Sequence, residues 1–149
     1  LVGVITKADL LQLVKSKKQL REIMQKKVHI VAPDERVIHA RRIMIDKNIA
    51  RLPVTKQGKL MGIISDTEIA YALADIKKSV PIGKQKHRLE ELLVEDVMKT
   101  SVMWTQPDTT AAEAAKIMSN HNIGSLPIVE NNNIIGIVTR TDLIKTVQL

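Results

Sequence analysis

The chain of 149 residues has no cysteine, no phenylalanine, one tryptophan and one tyrosine. Without cysteine it can form no disulfide, no thiolate zinc site and no cysteine nucleophile. Since 44% of the residues are hydrophobic but almost none are aromatic, the core must be aliphatic. No apolar run approaches the roughly 20 residues that cross a bilayer, and the sequence shows no signal peptide. These absences predict a cytoplasmic protein, and a length of 149 residues allows one sizeable core or two small ones.

Motifs for catalysis and metal binding are missing as well. The sequence contains no Gly-Lys-Ser/Thr phosphate loop, no Gly-x-Ser-x-Gly elbow and no paired acids that suggest catalysis. The four histidines, at positions 29, 39, 87 and 121, share no spacing typical of a metal site. We therefore expect no enzymatic activity, no catalytic residue, no metal and no required cofactor.

The chain is basic, with a formal net charge of +7 and a pI near 9.7. Lysine and arginine are densest in residues 15–27 and 77–88. A solvated surface is the favoured interpretation, and attraction of polyanions, including nucleic acid, is the alternative. Binders of single-stranded nucleic acid usually add stacking aromatics to a basic groove. Two aromatic residues in the whole chain argue against that mode.

A repeated segment organises the chain. Gly62–Ile69 recurs as Gly136–Leu143 and again, in residues 3–10, near the start. Residues 20–75 align with residues 94–149 without a gap, so that Pro33-Asp34 meets Pro107-Asp108 and Gly62-Ile63 meets Gly136-Ile137. Such a match indicates two copies of one folding unit.

The remaining residues are a tail and a connection. Residues 1–19 resemble the strand-helix end of a further copy, and the chain begins with Leu, so we expect a piece of a longer protein. The connection, residues 76–93, contains Pro81, Gly83 and many charges, which predicts an exposed linker. The apolar side chains of the tail are expected to pack on this chain or on a second copy; they are Val2, Val4, Ile5, Leu10, Leu11, Leu13 and Val14.

Each copy predicts the order β-α-β-β-α after a short helical turn at residues 20–25. In the first copy the signals are a β-prone run at 28–31, a helix capped by Asp34 and ended by Asn48, strands at 52–54 and 60–64, and a helix over 66–73. The second copy repeats these elements at 102–105, 108–119, 125–129, 134–138 and 141–147. The segments Lys56–Lys59 and Glu130–Asn133 carry the chemistry of hairpin turns.

The end of each copy has two interpretations, which the local residues leave open. Thr139 followed by Asp142 forms a capping box, which stabilises a helix by about 0.5–2 kcal/mol. The same helix start could instead bind a phosphate through its free N–H groups, while the carboxylate accepts hydrogen bonds from a ribose diol.

The ordered set of pieces resembles the CBS (cystathionine-β-synthase) motif, and two in tandem resemble a CBS pair, or Bateman module. The resemblance rests on Pro107–Thr110, Ile123–Ile128 and Gly136–Leu143, and it covers about residues 20–149. It implies an α/β (α+β) fold in which two motifs pack through their sheets as a pseudo-twofold pair. It also implies a regulatory module that binds AMP, ADP, ATP or S-adenosylmethionine between its motifs and transmits occupancy to a partner domain or subunit. The family commonly forms disc-like dimers, so a homodimer is expected.

By this resemblance, the hydroxyl and carboxylate roles fall on Thr139 and Asp142, and on Ser65 and Glu68. The purine would lie in an apolar slot, contacted in the second copy by the backbone of Met103, Trp104 and Gln106, with Leu126 and Pro127 as another wall. The corresponding residues of the first copy are His29, Ile30, Ala32, Leu52 and Pro53.

Several of these residues have a second interpretation. Ile30 and Leu126 could equally be core residues, and Trp104 either stacks on a base or fills an interface. Arg51, which replaces Ser125 of the second copy, either reaches a phosphate or occludes the cleft.

The copies also differ in charge, because Arg140 follows the hydroxyl residue in the second copy and Asp66 follows it in the first. We therefore predict that the Thr139 site prefers a phosphorylated adenosine ligand. The Ser65 site is predicted to be weak, empty or suited to a neutral or cationic adenosine compound. A nucleic-acid-binding protein on this scaffold and a purely structural dimerisation module are the alternative functions.

Overall fold

The structure, a computed structural model, describes residues 3–148. The chain divides into two compact units. The split unit combines Leu1–Val28 with Met103–Leu149, and the continuous unit is His29–Val102. Helices and two small antiparallel sheets confirm the predicted mixed α and β fold class.

The elements follow each other along the chain, with the longest connections before α3 and before α7. In order they are α1 (Lys7–Leu10), a 3-10 helix (Leu11–Leu13), α2 (Leu20–Ile23), α3 (Val37–Lys47), β1 (Arg51–Lys56), β2 (Lys59–Ser65), α4 (Asp66–Ser79), α5 (Ile82–Glu91), α6 (Val94–Val97), α7 (Ala111–His121), β3 (Ser125–Glu130), β4 (Asn133–Thr139) and α8 (Arg140–Ile144).

Both predicted hairpins are confirmed. β1 pairs with β2, and β3 pairs with β4, in antiparallel register. The turn residues Gln57 and Gly58 have φ of 53° and 81°, and Asn131 and Asn132 have φ of 52° and 66°. Two-residue turns with positive φ match the twist of the strands that they join, which explains why Gly and Asn occur there.

The split unit takes α2 from the first sequence copy and its sheet from the second. The Leu20 N–H donates to the Thr109 carbonyl at 2.8 Å, and Gln25 exchanges two backbone hydrogen bonds with Ile137 at 2.9 and 3.0 Å. Residues 20–28 therefore pack on the hairpin of the second copy.

The continuous unit makes the reciprocal exchange. The Val94 N–H donates to the Glu35 carbonyl at 2.8 Å, and Lys99 exchanges backbone hydrogen bonds with Ile63 at 2.8 and 2.9 Å. α6 therefore packs on the hairpin of the first copy. Each compact unit contains one complete set of elements, but each set is assembled from both copies.

Each unit has its own aliphatic core. Fully buried side chains of the split unit include Leu20, Met118, Leu126, Ile128 and Leu143. Those of the continuous unit include Val31, Leu52, Val54, Ile64 and Val94.

The first strand of each copy is shorter than predicted. In place of strands at 28–31 and 102–105, the structure has single parallel bridges from Val31 to Val54 and from Thr105 to Ile128. Pro33 and Pro107 follow two residues later and have no N–H to continue a ladder.

Two helices begin later than predicted. Asp34 does not cap α3, whose N-cap is Arg36, and α7 begins after Thr110 rather than at Asp108. The reason is tertiary: the Pro33 and Glu35 carbonyls accept hydrogen bonds from the segment that contains α6, so these residues form a turn.

The predicted linker is largely helical. α4 continues to Ser79 instead of ending near Leu73, and α5 occupies most of residues 76–93. Pro81 stands at the N-cap of α5, where its missing N–H costs no helical hydrogen bond.

The tail was only partly predicted. Leu11 and Val14 are buried in the split-unit core, which confirms that the tail packs on this chain. Val4 and Ile5, however, are 79% and 77% exposed, and Leu13 is half exposed. Residues 3–6 form no strand, and Val2 lies outside the described residues.

Candidate functional sites at the hairpin ends

The Thr139 motif forms the junction between β4 and α8. Both the backbone N–H and the hydroxyl of Thr139 donate to Asp142 Oδ2, at 2.9 and 3.0 Å, and the Asp142 N–H donates back to Thr139 Oγ1 at 3.3 Å. The capping interpretation is therefore confirmed. Since α8 has only five residues, its dipole contributes little to anion binding, and other groups must supply the attraction.

Asp142 also accepts a hydrogen bond from outside its own motif. The side-chain amide Nε2 of Gln25 lies 3.0 Å from Asp142 Oδ2 and 3.3 Å from Oδ1. Gln25 reaches this position because its backbone is bridged to Ile137 on β4. Sequence reasoning missed this residue, since Gln25 belongs to the first copy and Asp142 to the second.

Two further polar groups flank Thr139. Ser125 is the cross-strand partner of Thr139, so both side chains lie on the same face of the hairpin. Ser125 is 9% exposed, and its hydroxyl has no hydrogen-bond partner among the described residues. The buried Nε of Arg140 likewise lacks a partner there, while Arg140 Nη2 donates to Asn122 Oδ1 at 3.3 Å.

The residues predicted to form the purine slot divide into two groups. In the split unit, Met103, Trp104 and Gln106 are exposed, with Trp104 at 49%. Leu126 is fully buried in the core and Pro127 is also buried. The three exposed residues can therefore contact a ligand through their side chains. Leu126 is a core residue, and its side chain is not accessible to a ligand.

The same arrangement occurs in the continuous unit with different residues. The Ser65 N–H donates to Glu68 Oε2 at 2.9 Å, and the Ser65 hydroxyl also donates to this carboxylate. Arg51 pairs with Ser65 across the hairpin, and both Arg51 and Asp66 are exposed. This site therefore has an acid directly after its hydroxyl residue and a cation on the facing strand.

The predicted slot residues of the continuous unit are also placed by the structure. Ile30 is 43% exposed and His29 is half-buried, while Leu52 and Pro53 are buried. The Ala32 N–H donates to Glu35 Oε1 at 3.0 Å, so it is already used within the protein.

The third copy of the motif forms the same box in the tail. The backbone N–H and the hydroxyl of Thr6 each donate to Asp9 Oδ2 at 2.9 Å. The backbone hydrogen bond, followed by the hydroxyl, lowers the pKa of the Asp9 carboxyl. All three copies thus use the motif as a helix cap, and the cap alone does not identify a ligand site.

An ion pair links the segment that carries Gln25 to residues of the second copy. Arg21 Nη2 lies 3.0 Å from Glu130 Oε1 and 3.7 Å from Asp108 Oδ1. The hydrogen bond and the charge of Glu130 raise the pKa of Arg21. Because these side chains are exposed, the pair contributes little stability, and the backbone hydrogen bonds of Leu20 and Gln25 hold α2 in place.

Other surface features lie away from the predicted residues. A shallow groove of about 360 Å³ in the continuous unit contains none of them; its lining is Asp34, Glu35, Arg36, Ile38, His39 and Arg42. His39 and His87 each pair with a glutamate four residues away. Within residues 3–148, no cluster of acids and histidines is arranged to hold a metal ion. No helix in that range has the length and apolarity of a membrane span.

Comparisons with known proteins identify the repeat. The family model for the CBS domain matches residues 20–75 and 94–149. The uncharacterized protein MJ1426 of Methanocaldococcus jannaschii is 34% identical, and the match covers 85% of this chain and 89% of that protein. The curated relatives differ in length, and the chain spans only 37% of one of them.

Two solved structures show the same fold. Protein MJ1225 of Methanocaldococcus jannaschii, described as a proposed archaeal homologue of γ-AMPK, is 27% identical with a TM-score of 0.81, covering 97% of this chain and 54% of that one. The CBS domain pair of protein MJ0100, solved with 5′-methylthioadenosine and S-adenosyl-L-methionine, is 28% identical with a TM-score of 0.70, covering 86% and 94%. The resemblance found in the sequence is thus confirmed, and the chain belongs to the CBS domain family, with two CBS motifs at residues 20–75 and 94–149.

Proposed function

We propose that this chain is a regulatory module without catalytic activity that binds an adenosine-containing ligand at the Thr139 site and transmits its occupancy to a partner domain or subunit. One observation carries the proposal: the buried Ser125 hydroxyl and Arg140 Nε, which flank Thr139, have no partner among the described residues. Folded proteins rarely leave buried polar groups unpaired. A polar ligand at this hairpin end would satisfy both groups once their side chains turn toward it.

The chemistry of the site suits a nucleotide. The Asp142 carboxylate can accept hydrogen bonds from both hydroxyls of a ribose. The Ser125 hydroxyl can donate to a phosphate oxygen, and the guanidinium of Arg140 supplies a positive charge. The exposed Trp104 offers a flat apolar face for a purine.

The comparisons support the class of ligand. The solved MJ0100 pair contains two adenosine compounds, 5′-methylthioadenosine and S-adenosyl-L-methionine. MJ1225 is related by its description to γ-AMPK. AMP, ADP, ATP and S-adenosylmethionine are therefore the ligands to test first. A homodimer is the assembly we propose for the signalling form.

The Ser65 site is proposed to bind such ligands less well. Asp66 follows Ser65 where Arg140 follows Thr139, and an acid at this position repels a phosphate. A neutral or cationic adenosine compound avoids that repulsion. The two units would then respond to different ligands.

The experiment is a calorimetric titration of AMP and of S-adenosylmethionine into the wild type and two variants. Asp142→Ala should lose AMP binding at the strong site, because a carboxylate that accepts two hydroxyl hydrogen bonds is removed; a loss of tenfold or more is expected from about 1.5–3 kcal/mol. Glu68→Ala should leave AMP affinity unchanged. An equal loss in both variants would contradict the assignment to the Thr139 site.

The tail provides a matched control. Asp9→Ala removes a capping box with nearly the same geometry as that of Asp142. It should lower stability but leave AMP binding intact. If Asp9→Ala weakens AMP binding as much as Asp142→Ala does, the effect of Asp142 reflects helix stability and not ligand contact.

A further inference from the structure

One contact at the Thr139 site comes from outside the repeated motif: the hydrogen bond from Gln25 to Asp142. Its side-chain amide donates to both oxygens of Asp142, at 3.0 Å to Oδ2 and 3.3 Å to Oδ1. Its backbone is held by two hydrogen bonds to Ile137, at 2.9 and 3.0 Å. The residue is exposed, so its side chain can turn away while the backbone remains fixed.

Most of the hydrogen-bond capacity of Asp142 is already in use. Oδ2 accepts from the Thr139 N–H, the Thr139 hydroxyl and Gln25, which is three donors on an oxygen with two lone pairs. Oδ1 accepts only the longer contact from Gln25, so one of its positions is free. A ribose diol brings two donors, and the second hydroxyl needs a position that Gln25 occupies.

Only one of the three donors can leave at low cost. The Thr139 N–H is fixed by the backbone at the helix start. The Thr139 hydroxyl is part of the capping box, in which it donates to the carboxylate and accepts from the Asp142 N–H. The Gln25 amide, in contrast, lies at the end of a flexible, exposed side chain and can exchange Asp142 for water.

We propose that Gln25 is a placeholder for the ribose: its amide occupies the Asp142 carboxylate in the empty site, and the diol of the ligand displaces it. Gln25 is then a residue that sets affinity for ligands with a free cis-diol, an inference that rests on the proposed function. The equivalent position of the continuous unit is Lys99, whose backbone is bridged to Ile63. Among the described residues no ion pair joins Lys99 to Glu68, so the placeholder is specific to the split unit.

The test compares two ligands on three proteins. AMP and 2′,3′-dideoxy-AMP are titrated into the wild type, Gln25→Ala and the control Gln12→Ala, which removes another exposed glutamine from the same unit. Gln25→Ala should bind AMP about three- to tenfold more tightly, because a competing hydrogen bond to a charged group is lost. It should show no gain with the dideoxy compound, and Gln12→Ala should match the wild type with both.

A second variant protects the test against loss of folding. Gln25→Met keeps the length of the side chain without its donor, and it should behave as Gln25→Ala does. Unchanged or weaker AMP binding in these variants would overturn the proposal, as would an equal gain with the dideoxy compound. If the wild type and the variants all fail to bind both AMP and S-adenosylmethionine, the proposed function fails and this inference with it; if the wild type binds, only the inference is at stake.

Discussion

At the scale of single residues, the repeated motif has one structural role and unequal chemical surroundings. All three copies close a capping box, so the hydroxyl and carboxylate are explained by helix stability alone. What distinguishes the Thr139 copy is the pair of unpartnered polar groups on Ser125 and Arg140. The neighbours of a motif, more than the motif itself, identify the candidate site.

The motif glycines of the two hairpins, Gly62 and Gly136, should respond differently to alanine. A Cβ on Gly62 would lie 2.6 Å from the backbone carbonyl oxygen of Lys99, whereas a Cβ on Gly136 would lie 2.5 Å from the sulfur of Met24. A methionine side chain can move aside, but a bridged backbone cannot. We expect Gly62→Ala to lower the free energy of unfolding by about 1–3 kcal/mol and Gly136→Ala to lower it less.

Urea denaturation of both variants checks this order. Far-UV circular dichroism of each variant at zero urea confirms that the comparison begins from folded protein. An equal loss in the two variants, or a larger loss for Gly136→Ala, would show that the Lys99 segment yields as easily as a side chain.

At the scale of elements, the hairpins and the starts of α2 and α4 were predictable, whereas the starts of α3 and α7 were not. The turn residues are local signals, since positive φ restricts them to Gly, Asn and a few others. The start of α3 depends on the Pro33 and Glu35 carbonyls, which bind backbone N–H groups of Val94 and Glu95, about 60 positions away in the sequence. The preference of Asp34 for helix N-caps gives no information about a hydrogen-bond partner so distant in the sequence.

The equivalent helices α3 and α7, of 11 residues each, should therefore differ in how much their N-caps contribute. Thr110 closes a capping box with Glu113 at 3.1 and 3.3 Å, whereas Arg36 caps α3 with no side-chain hydrogen bond. Thr110→Ala should cost about 1 kcal/mol of unfolding free energy. Arg36→Ala, the matched change, should cost close to nothing.

Thermal and urea unfolding of these two variants separate the contributions. Arg36→Thr offers a further check, because a hydroxyl at this N-cap should raise the stability by a few tenths of a kcal/mol to about 1 kcal/mol. A cost for Arg36→Ala as large as that for Thr110→Ala would mean that the arginine stem, and not the cap, stabilises α3.

At the scale of the whole molecule, the units of the sequence and the units of the structure have different boundaries. The family model matches residues 20–75, yet the core around β1 and β2 includes Leu92 and Val94. A fragment of residues 29–102 contains this core entire and should fold. A fragment of residues 20–75 lacks α6 and should not.

Circular dichroism and proton–nitrogen correlation spectra of the two fragments decide the matter. Dispersed amide resonances and a cooperative thermal transition are expected for residues 29–102 alone. A cooperative transition for residues 20–75 would show that α2 can replace α6 on this sheet.

The same exchange sets the limit on what the sequence reveals about the site. Ser125 and Thr139 lie on one hairpin, and Arg140 and Asp142 follow directly in α8, so their neighbourhood follows from local periodicity. Gln25 reaches Asp142 across 117 positions of sequence, and its polar character alone gives no sign of this contact. Periodicity identifies the copies but cannot reveal that they exchange their first helices.

The split of one unit across the chain has a consequence during synthesis. The ribosome releases residues 29–102 as one uninterrupted stretch, so the continuous unit can complete its core while the rest is still being translated. Residues 3–28 must wait for a sheet that is made after the continuous unit, with Leu11, Val14 and Leu20 still uncovered. A pause in translation before the codon for Met103 would therefore leave this segment open to chaperones and proteases, although it is made before the continuous unit.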